Sequence, residues 1–171
     1  SSGIARDRVE ALTREGVRLV NARIADEGDD VMLVKAQGRA IRFPSPDVRV
    51  FKGRDSTGVR GIRLARGDEG VSMSVIRHFE ASPEERAAYL KMRRAVAGAL
   101  DDGAETDEDE AAVPAVALPQ ERYAEMSAAE DLILTVTARG AGKLSSSHDY
   151  PERGRGGQGV TNLSVMRSYS P

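Results

Sequence analysis

The apolar residues of this chain fall into short alternating or continuous runs, which is the pattern of β-strands. Residues 31–34 and 40–43 are two such runs with a Gln-Gly pair between them, so they predict a β-hairpin. Pro44 ends the second run, because proline has no N–H to donate to a strand ladder. Residues 71–76 alternate strictly between apolar and polar and predict a further strand after the polar turn 66–70.

Weaker alternation predicts strands in other parts of the chain. Three of these segments lie in the first half, at residues 18–24, 48–51 and 59–64. The second half repeats the order of the first, with predicted strands at 132–137, near Lys143 and at 160–165, and a turn at 139–140.

A glycine-rich basic stretch occurs twice. The first box, residues 53–58, reads Gly-Arg-Asp-Ser-Thr-Gly, and the second box, residues 154–159, reads Gly-Arg-Gly-Gly-Gln-Gly. Glycines allow the backbone of such a turn to approach a partner closely. Gly58 and Gly159 are 101 residues apart. Without an insertion of roughly fifty residues this interval becomes about fifty, the length of a propeller-like blade.

We therefore predict an all-β fold built from propeller-like blades of antiparallel strands. Residues 1–80 would contain the end of one blade and one complete blade, and residues 131–171 part of a further blade. Residues 81–130 would be an insertion of a different kind, helical and acidic. An insertion of that length is tolerated in a surface loop, because the entropy of loop closure grows slowly with length.

The insertion opens with Ser82-Pro83-Glu84-Glu85, which combines an N-cap, a first-turn proline and a capping-box glutamate. These residues predict a helix that extends to about residue 100. Residues 101–117 are acidic and alanine-rich without an apolar period, so we expect them to be disordered. Residues 120–129 predict a second, short helix that leads back to the sheet.

Charge is distributed unevenly along the chain. The net charge is −2, but residues 81–131 contain 13 acidic and 5 basic residues, whereas the remainder contains 14 acidic and 20 basic residues. The basic part is therefore the place to look for a polyanion-binding surface. Cysteine is absent, which excludes disulfides, thiolate zinc sites and a cysteine nucleophile. No apolar run is long enough for a membrane helix.

Two motifs resemble enzyme signatures, and both have simpler explanations. The second box fits G-x-G-x-x-G, but a dinucleotide loop needs a strand before it and a helix after it, and here a β pattern follows. Ser147-His148-Asp149 contains the residue types of a hydrolase triad, but adjacent residues point in different directions, so a polar turn is favoured. Two isolated histidines do not make a metal site. We therefore predict no catalytic residue and no metal ligand in this chain.

Basic residues gather around both boxes, and they are the predicted DNA contacts: Lys52, Arg54, Arg60 and Arg63 around the first, and Lys143, Arg153 and Arg155 around the second. Exposed basic residues often serve only solubility. Here, however, they recur at matching positions of the repeat, Arg54 with Arg155 most clearly. Neighbouring blades would place such positions in a row, and a row of guanidinium groups suits the phosphates of duplex DNA.

Residues 40–44 (Ala-Ile-Arg-Phe-Pro), 48–54 (Val-Arg-Val-Phe-Lys-Gly-Arg) and 58–64 (Gly-Val-Arg-Gly-Ile-Arg-Leu) closely resemble the C-terminal domain of the DNA gyrase A subunit. Residues 84–94 are similar to the helical insertion of its alphaproteobacterial members. The second box resembles the family box Q-[RK]-R-G-G-[RK]-G, with Gln158 at its second basic position, and the first box is more degenerate. The box glycines are expected to have a structural role: Gly53, Gly58, Gly154, Gly156, Gly157 and Gly159.

This resemblance implies a β-pinwheel, a propeller-like disc that wraps double-stranded DNA around a basic rim without sequence specificity. Wrapping would support negative supercoiling by the ATP-dependent type II topoisomerase, in the cytoplasm and in association with the nucleoid, with no membrane contact. The gyrase B subunit and a second gyrase A subunit would be the partners. ATP and Mg would bind elsewhere in the holoenzyme, and this chain would be a fragment without cofactor or catalysis of its own. The alternatives are the equivalent domain of the topoisomerase IV A subunit and a propeller-like protein-interaction module.

Overall fold

The computed structural model of the chain describes residues 18–50, 58–98 and 118–162. The chain forms two compact units, residues 1–76 with 152–171 and residues 77–151. The elements in chain order are β1 (Asp29–Lys35), β2 (Arg39–Pro44), a 3-10 turn (Ser45–Asp47), β3 (Gly70–Arg77), α1 (Pro83–Gly98), α2 (Gln120–Ala128), β4 (Leu132–Val136), β5 (Gly142–Ser146), a second 3-10 turn (Ser147–Asp149) and β6 (Val160–Thr161).

The first unit is built on a four-stranded sheet with the strand order β3-β1-β2-β6. β1 and β2 form the predicted antiparallel hairpin, with Val31 opposite Phe43 and Leu33 opposite Ile41. β6 comes from the far end of the chain and pairs antiparallel with β2, where Ala40 faces Val160. One sheet therefore unites segments that are more than a hundred residues apart.

The core of this sheet lies on one face of the hairpin. Val31, Ile41 and Phe43 are buried there, and the partly buried side chains that pack on them are Leu33, Ile62 and Met73. These positions follow the two-residue period of a strand, which explains why the sequence pattern located the hairpin correctly. A second buried feature is the ion pair of Arg42 with Asp30, whose Nε and Oδ2 atoms are 2.6 Å apart.

The second unit combines the helices with the β4–β5 hairpin. Tyr89, Leu118 and Met126 form its core, joined by partly buried residues that include Phe79 and Tyr123. Ser82 and Glu85 form the predicted capping box at the start of α1, since Ser82 N donates to Glu85 Oε2 (2.8 Å) and Glu85 N donates to Ser82 Oγ (3.1 Å). Both helix predictions are confirmed within the described residues.

The two hairpins are copies of one structural repeat. Each is followed directly by a 3-10 turn, at Ser45–Asp47 and at Ser147–Asp149, an offset of 102 residues. The same offset relates the glycines of the two hairpin turns, Gly38 (φ 76°) and Gly140 (φ 85°). Gly58 and Gly159, 101 residues apart, also share a positive φ, of 74° and 77°. The all-β, propeller-like fold class with a helical insertion is thereby confirmed.

Three of the weaker strand predictions are wrong. Residues 18–24 and 48–50 are exposed and belong to no strand, and residues 58–64 have no strand assignment either. Alternation shows only that a segment can present one apolar face, whereas a strand also needs a partner edge. Ile24, for example, is 97% exposed. The helices and all the remaining strand predictions correspond to elements of the structure, although β6 is described only to Thr161.

The units divide the chain differently from the sequence segments. The predicted insertion, 81–130, lies within the second unit, and residues 131–171 are shared between the two units. The segment expected to be disordered, 101–117, lies outside the described residues, as does residue 51 of the predicted strand 48–51. Within the described part of the chain, no helix is long and apolar enough to cross a membrane.

Candidate nucleic-acid interface

The second box lies against the sheet of the first unit. Arg153 N donates to Arg42 O and Asn162 N donates to Gly38 O, both at 2.8 Å, so both ends of the box are attached to β2 or to the turn before it. Between them, Gly156 N donates to Gly61 O (2.5 Å) and Arg63 N donates to Gly157 O (2.8 Å). The box therefore forms a short backbone ladder with residues 61–63, the segment that follows the first box.

Gly159 is the position of closest approach. It has a φ of 77°, and a Cβ atom added there would overlap Ala40 O and come within 2.8 Å of Ala40 C. A side chain would thus be strained twice, by the left-handed backbone and by contact with rigid backbone atoms of β2. Gly157 is packed less tightly, with Ile41 Cδ1 at 3.5 Å from the same hypothetical atom. At Gly154 and Gly58 no atom of the described residues lies within 4 Å of such a Cβ, although Gly58 also has a positive φ.

Arg155 is exposed, but its guanidinium is engaged by the protein. Nε donates to Asp47 O at 2.8 Å, and Nη1 donates to Arg60 O at 3.3 Å. Asp47 ends the 3-10 turn after β2, and Arg60 precedes the ladder, so this one side chain connects three segments. A phosphate at Arg155 would have to share the guanidinium with two backbone carbonyls.

Arg60, Arg63 and Arg153 are exposed basic residues on the same unit. The backbone bonds of the ladder bring the segments of all three together around the second box. Arg63 is held on both sides, since its N–H donates to Gly157 and its carbonyl accepts from Lys35 Nζ at 3.1 Å. Its backbone position is therefore fixed by the fold, while the residue as a whole is exposed.

Lys35 lies beneath this edge as a buried cation. Its side chain is only 4% exposed, and Nζ lies 3.1 Å from Asp68 Oδ2. Burial alone would raise the pKa of Asp68, but hydrogen bonds from Lys35 and from the amides of Gln37 and Glu69 outweigh it and hold the pKa below its usual range. The Asp68 carboxylate therefore stays ionised at neutral pH, and its contact with Lys35 anchors the turn 66–70 to β1.

The other predicted contacts are Lys143, Lys52 and Arg54. Lys143 lies in β5 of the second unit, opposite Thr135. Lys52, Gly53 and Arg54 lie outside the described residues, so the predictions for them rest on the sequence alone.

Sequence reasoning missed three residues that build this edge, namely Lys35, Arg39 and Asp47. Arg39 donates from Nε and Nη2 to Gly159 O, at 3.3 and 2.9 Å, and secures the end of the box. The burial of Lys35 could have been predicted, because it lies on the same face of the predicted strand as Val31 and Leu33. The contacts of Arg39 and Asp47 could not have been predicted, because their partners are about a hundred residues away in the sequence.

The family model for the DNA gyrase C-terminal domain, a β-propeller, matches residues 29–77 and 131–165. Among curated proteins, the chain is 49% identical over 161 residues to the DNA gyrase A subunit of Granulibacter bethesdensis, which covers 88% of this chain and 17% of that protein. It is 38% identical over 151 residues to the Rickettsia bellii protein of the same name, with 88% and 16% covered. For the Pseudomonas aeruginosa protein the identity is 31% over 160 residues, with 94% and 11% covered.

The chain thus spans only about a sixth of the length of the first relatives it matches. The two stretches that match the family model, 29–77 and 131–165, contain both hairpins of the structural repeat and the second box. They leave out the helices, which fits an insertion between blades. The chain belongs to the family of the C-terminal domain of the DNA gyrase A subunit.

Proposed function

We propose that this protein binds double-stranded DNA without sequence specificity and bends it along a basic edge of the first unit. One observation carries the proposal. Residues 60–63 are fixed through their backbone by the second box and by Lys35, while Arg60 and Arg63 are exposed residues. Exposed cations on a fixed backbone favour phosphate binding, because little backbone freedom remains to be lost on binding.

The chemistry of this edge favours contact with the sugar-phosphate backbone over reading of bases. Arg60, Arg63 and Arg153 come from extended or turn segments, and within the described residues no helix or long strand carries them towards a groove. Arginine forks match phosphate oxygens, and such contacts position a protein without conveying sequence. We assign phosphate contacts to these three residues, with Lys143 as a candidate in the second unit.

The wider role follows from the relatives, which are A subunits of DNA gyrase. We infer that the chain acts within a type II topoisomerase, where wrapped DNA would support ATP-dependent negative supercoiling in the cytoplasm. The gyrase B subunit and a second gyrase A subunit would be its partners, and bond cleavage and ATP hydrolysis would take place outside this chain. The family supports this assignment over topoisomerase IV.

Salt-dependent binding to a random duplex tests the proposal. Affinity should fall linearly with salt on logarithmic axes, and the slope should shrink by about 0.9 for each phosphate that the protein no longer neutralises. Replacing Arg60, Arg63 and Arg153 together by Ala should thus reduce the slope by about 2 to 3. Arg23→Ala, an exposed arginine of the same unit outside the box and its ladder, is the control and should leave the slope unchanged.

The same binding measurement distinguishes DNA binding from the alternative function, a propeller-like protein-interaction module. Binding that ignores salt, or no binding to duplex DNA, would show that the basic residues serve only solubility. A triple variant with an unchanged slope would place the DNA-binding surface elsewhere on the chain.

A further inference from the structure

We propose that Arg155 is a positioning residue, which clips the segment of Arg60 and Arg63 in place, and that it is not itself a phosphate ligand. The inference rests on the proposed DNA binding and assigns a different role to one of the basic residues that the sequence singled out. The second box would thereby fix the positions of Arg60 and Arg63, the basic residues that follow the first box.

The hydrogen bonds of Arg155 connect two backbone segments, so we call this side chain a brace. Its two donor groups reach carbonyls on two different segments, Asp47 O at 2.8 Å and Arg60 O at 3.3 Å. Both acceptors are uncharged, so the interaction uses the forked geometry of the guanidinium more than its charge. A lysine has a single ammonium group on a flexible stem and cannot reproduce this fork.

The braced segment is the one that presents the proposed phosphate ligands. Its backbone is held at four points: Arg60 O by Arg155, Gly61 O by Gly156 N, Arg63 N by Gly157 O, and Arg63 O by Lys35 Nζ. Arg155 and the two glycines that follow it, Gly156 and Gly157, contribute three of the four bonds. Gly156 itself lies beneath Arg60, with a hypothetical Cβ 3.5 Å from Arg60 O.

The burial of the segment agrees with this arrangement. Ile62 packs on the core cluster around Phe43. Gly61 lies so close to Leu33 that a Cβ atom would overlap the leucine side chain. The middle of the segment is thus packed inward while Arg60 and Arg63 flank it as exposed residues. Loss of the brace would free the Arg60 end first, because Arg60 O is the atom of the segment that Arg155 itself holds.

Hydrogen exchange in the absence of DNA tests the brace independently of the proposed function. The amides of Arg63 and Gly156 report on the ladder. In both Arg155→Ala and Arg155→Lys they should exchange about tenfold faster, because one charge-assisted anchor of the segment is lost. Arg153→Ala is the matched control and should leave both rates unchanged, because its side chain makes none of the four bonds that hold the segment.

DNA affinity then tests the role. If Arg155 positions Arg60 and Arg63, Arg155→Lys should weaken binding about as much as Arg155→Ala, by about five- to tenfold. In the Arg60→Ala, Arg63→Ala background, Arg155→Ala should have almost no further effect, because residues that act through one another are not additive. A purely structural loss would instead weaken binding equally in both backgrounds.

Two results would overturn the inference: affinity retained by Arg155→Lys but lost by Arg155→Ala, or exchange rates that do not change. The first would make Arg155 a phosphate ligand. If the exchange rates change as expected while the wild-type protein shows no salt-dependent DNA binding, the brace stands and the proposed function fails. Should Arg155→Ala not fold, Arg155→Lys decides both tests alone.

Discussion

Lys35 Nζ lies 3.1 Å from Asp68 Oδ2, and the two side chains are 4% and 0% exposed. Asp68 Oδ1 also accepts from the amides of Gln37 (3.1 Å) and Glu69 (3.0 Å), while Lys35 donates to Arg63 O. This buried pair thus connects the end of β1, the turn before β3 and the segment that presents Arg63. It is a structural support of the proposed DNA-binding edge.

Removing one partner of this pair should be costly, because the other is left as an uncompensated buried charge. We expect Lys35→Met or Asp68→Asn to lower the free energy of unfolding by about 3 kcal/mol, measured by urea denaturation. The double variant Lys35→Met, Asp68→Leu should lose less than either single change. Arg18→Ala is the control, because its ion pair with Glu69 is 70% and 60% exposed and should contribute under about 1 kcal/mol.

The same pair predicts how stability depends on pH. The pKa of Asp68 is lower in the folded protein than its usual value, since the hydrogen bonds from Lys35 and two amides outweigh the opposing effect of burial. Its contribution is therefore present above the unfolded pKa of about 3.9 and is lost as the pH falls through the lower folded value. Asp68→Asn should flatten this acid limb in urea titrations below about pH 4. An unchanged limb would mean that other carboxylates determine it.

Local patterns were sufficient for the elements that rest on local chemistry. The β1–β2 hairpin follows from two apolar runs, 31–34 and 40–43, on either side of a Gln-Gly pair, and α1 follows from the capping box of Ser82 and Glu85. The repeat also followed from the sequence, because the glycine-rich box and the order of strands and turns recur about a hundred residues later; in the structure both hairpin turns contain a glycine with positive φ. The hairpin and capping signals lie within a few residues of the features that they predict.

The edge around the second box depended instead on distant partners. Residues 59–64 have a strand pattern, yet the backbone bonds of residues 61–63 go to a glycine turn about ninety-five residues later in the sequence, so no regular strand forms. Arg155 was identified as basic, but its bonds to Asp47 and Arg60 depend on where β2 and its 3-10 turn end in space. A single sequence gives the charge of such a residue and not its neighbours.

Two alanine substitutions, at Gly159 and at Gly154, test the backbone geometry of the second box. Gly159→Ala should lower the free energy of unfolding by about 2 kcal/mol or more, because the new Cβ meets Ala40 backbone atoms at a φ of 77°. At Gly154, five residues earlier, no atom of the described residues lies within 4 Å of the added Cβ, and φ is not positive. Gly154→Ala should be neutral or stabilise by up to about 1 kcal/mol. Equal losses for both variants in urea denaturation would contradict the geometry.

The capping box of α1 can be tested with a single hydroxyl. Ser82→Ala removes the acceptor for Glu85 N and should lower the free energy of unfolding of the second unit by about 1 kcal/mol. Ser72→Ala removes a hydroxyl from an exposed position of β3 and serves as the control, with an expected change within about 0.5 kcal/mol. Circular dichroism at about 222 nm, where helices absorb, follows α1 and α2 during denaturation. A loss for Ser72→Ala as large as that for Ser82→Ala would rule out the cap as the cause.

His148 was predicted to belong to a polar turn, and in the structure this turn is present but the histidine is buried. It is buried in the second 3-10 turn, where its ring meets the Phe79 and Tyr89 rings edge-on at 5.8 and 4.9 Å, and Nε2 lies 2.8 Å from Met126 O. His148 therefore fixes α1 and α2 to the β4–β5 hairpin, as a packing residue that also hydrogen-bonds to α2.

Two variants separate the packing of His148 from its hydrogen bond. His148→Ala loses both and should lower the free energy of unfolding by about 3 to 4 kcal/mol. His148→Phe keeps a ring between Phe79 and Tyr89 but leaves Met126 O without this partner, so it should lose about 1 to 2 kcal/mol. Tyrosine fluorescence during urea unfolding follows the second unit, because Tyr89, Tyr123 and Tyr150 all lie there. Equal losses for the two variants would assign the whole effect to the hydrogen bond, and no loss for either would show that the helices dock without His148.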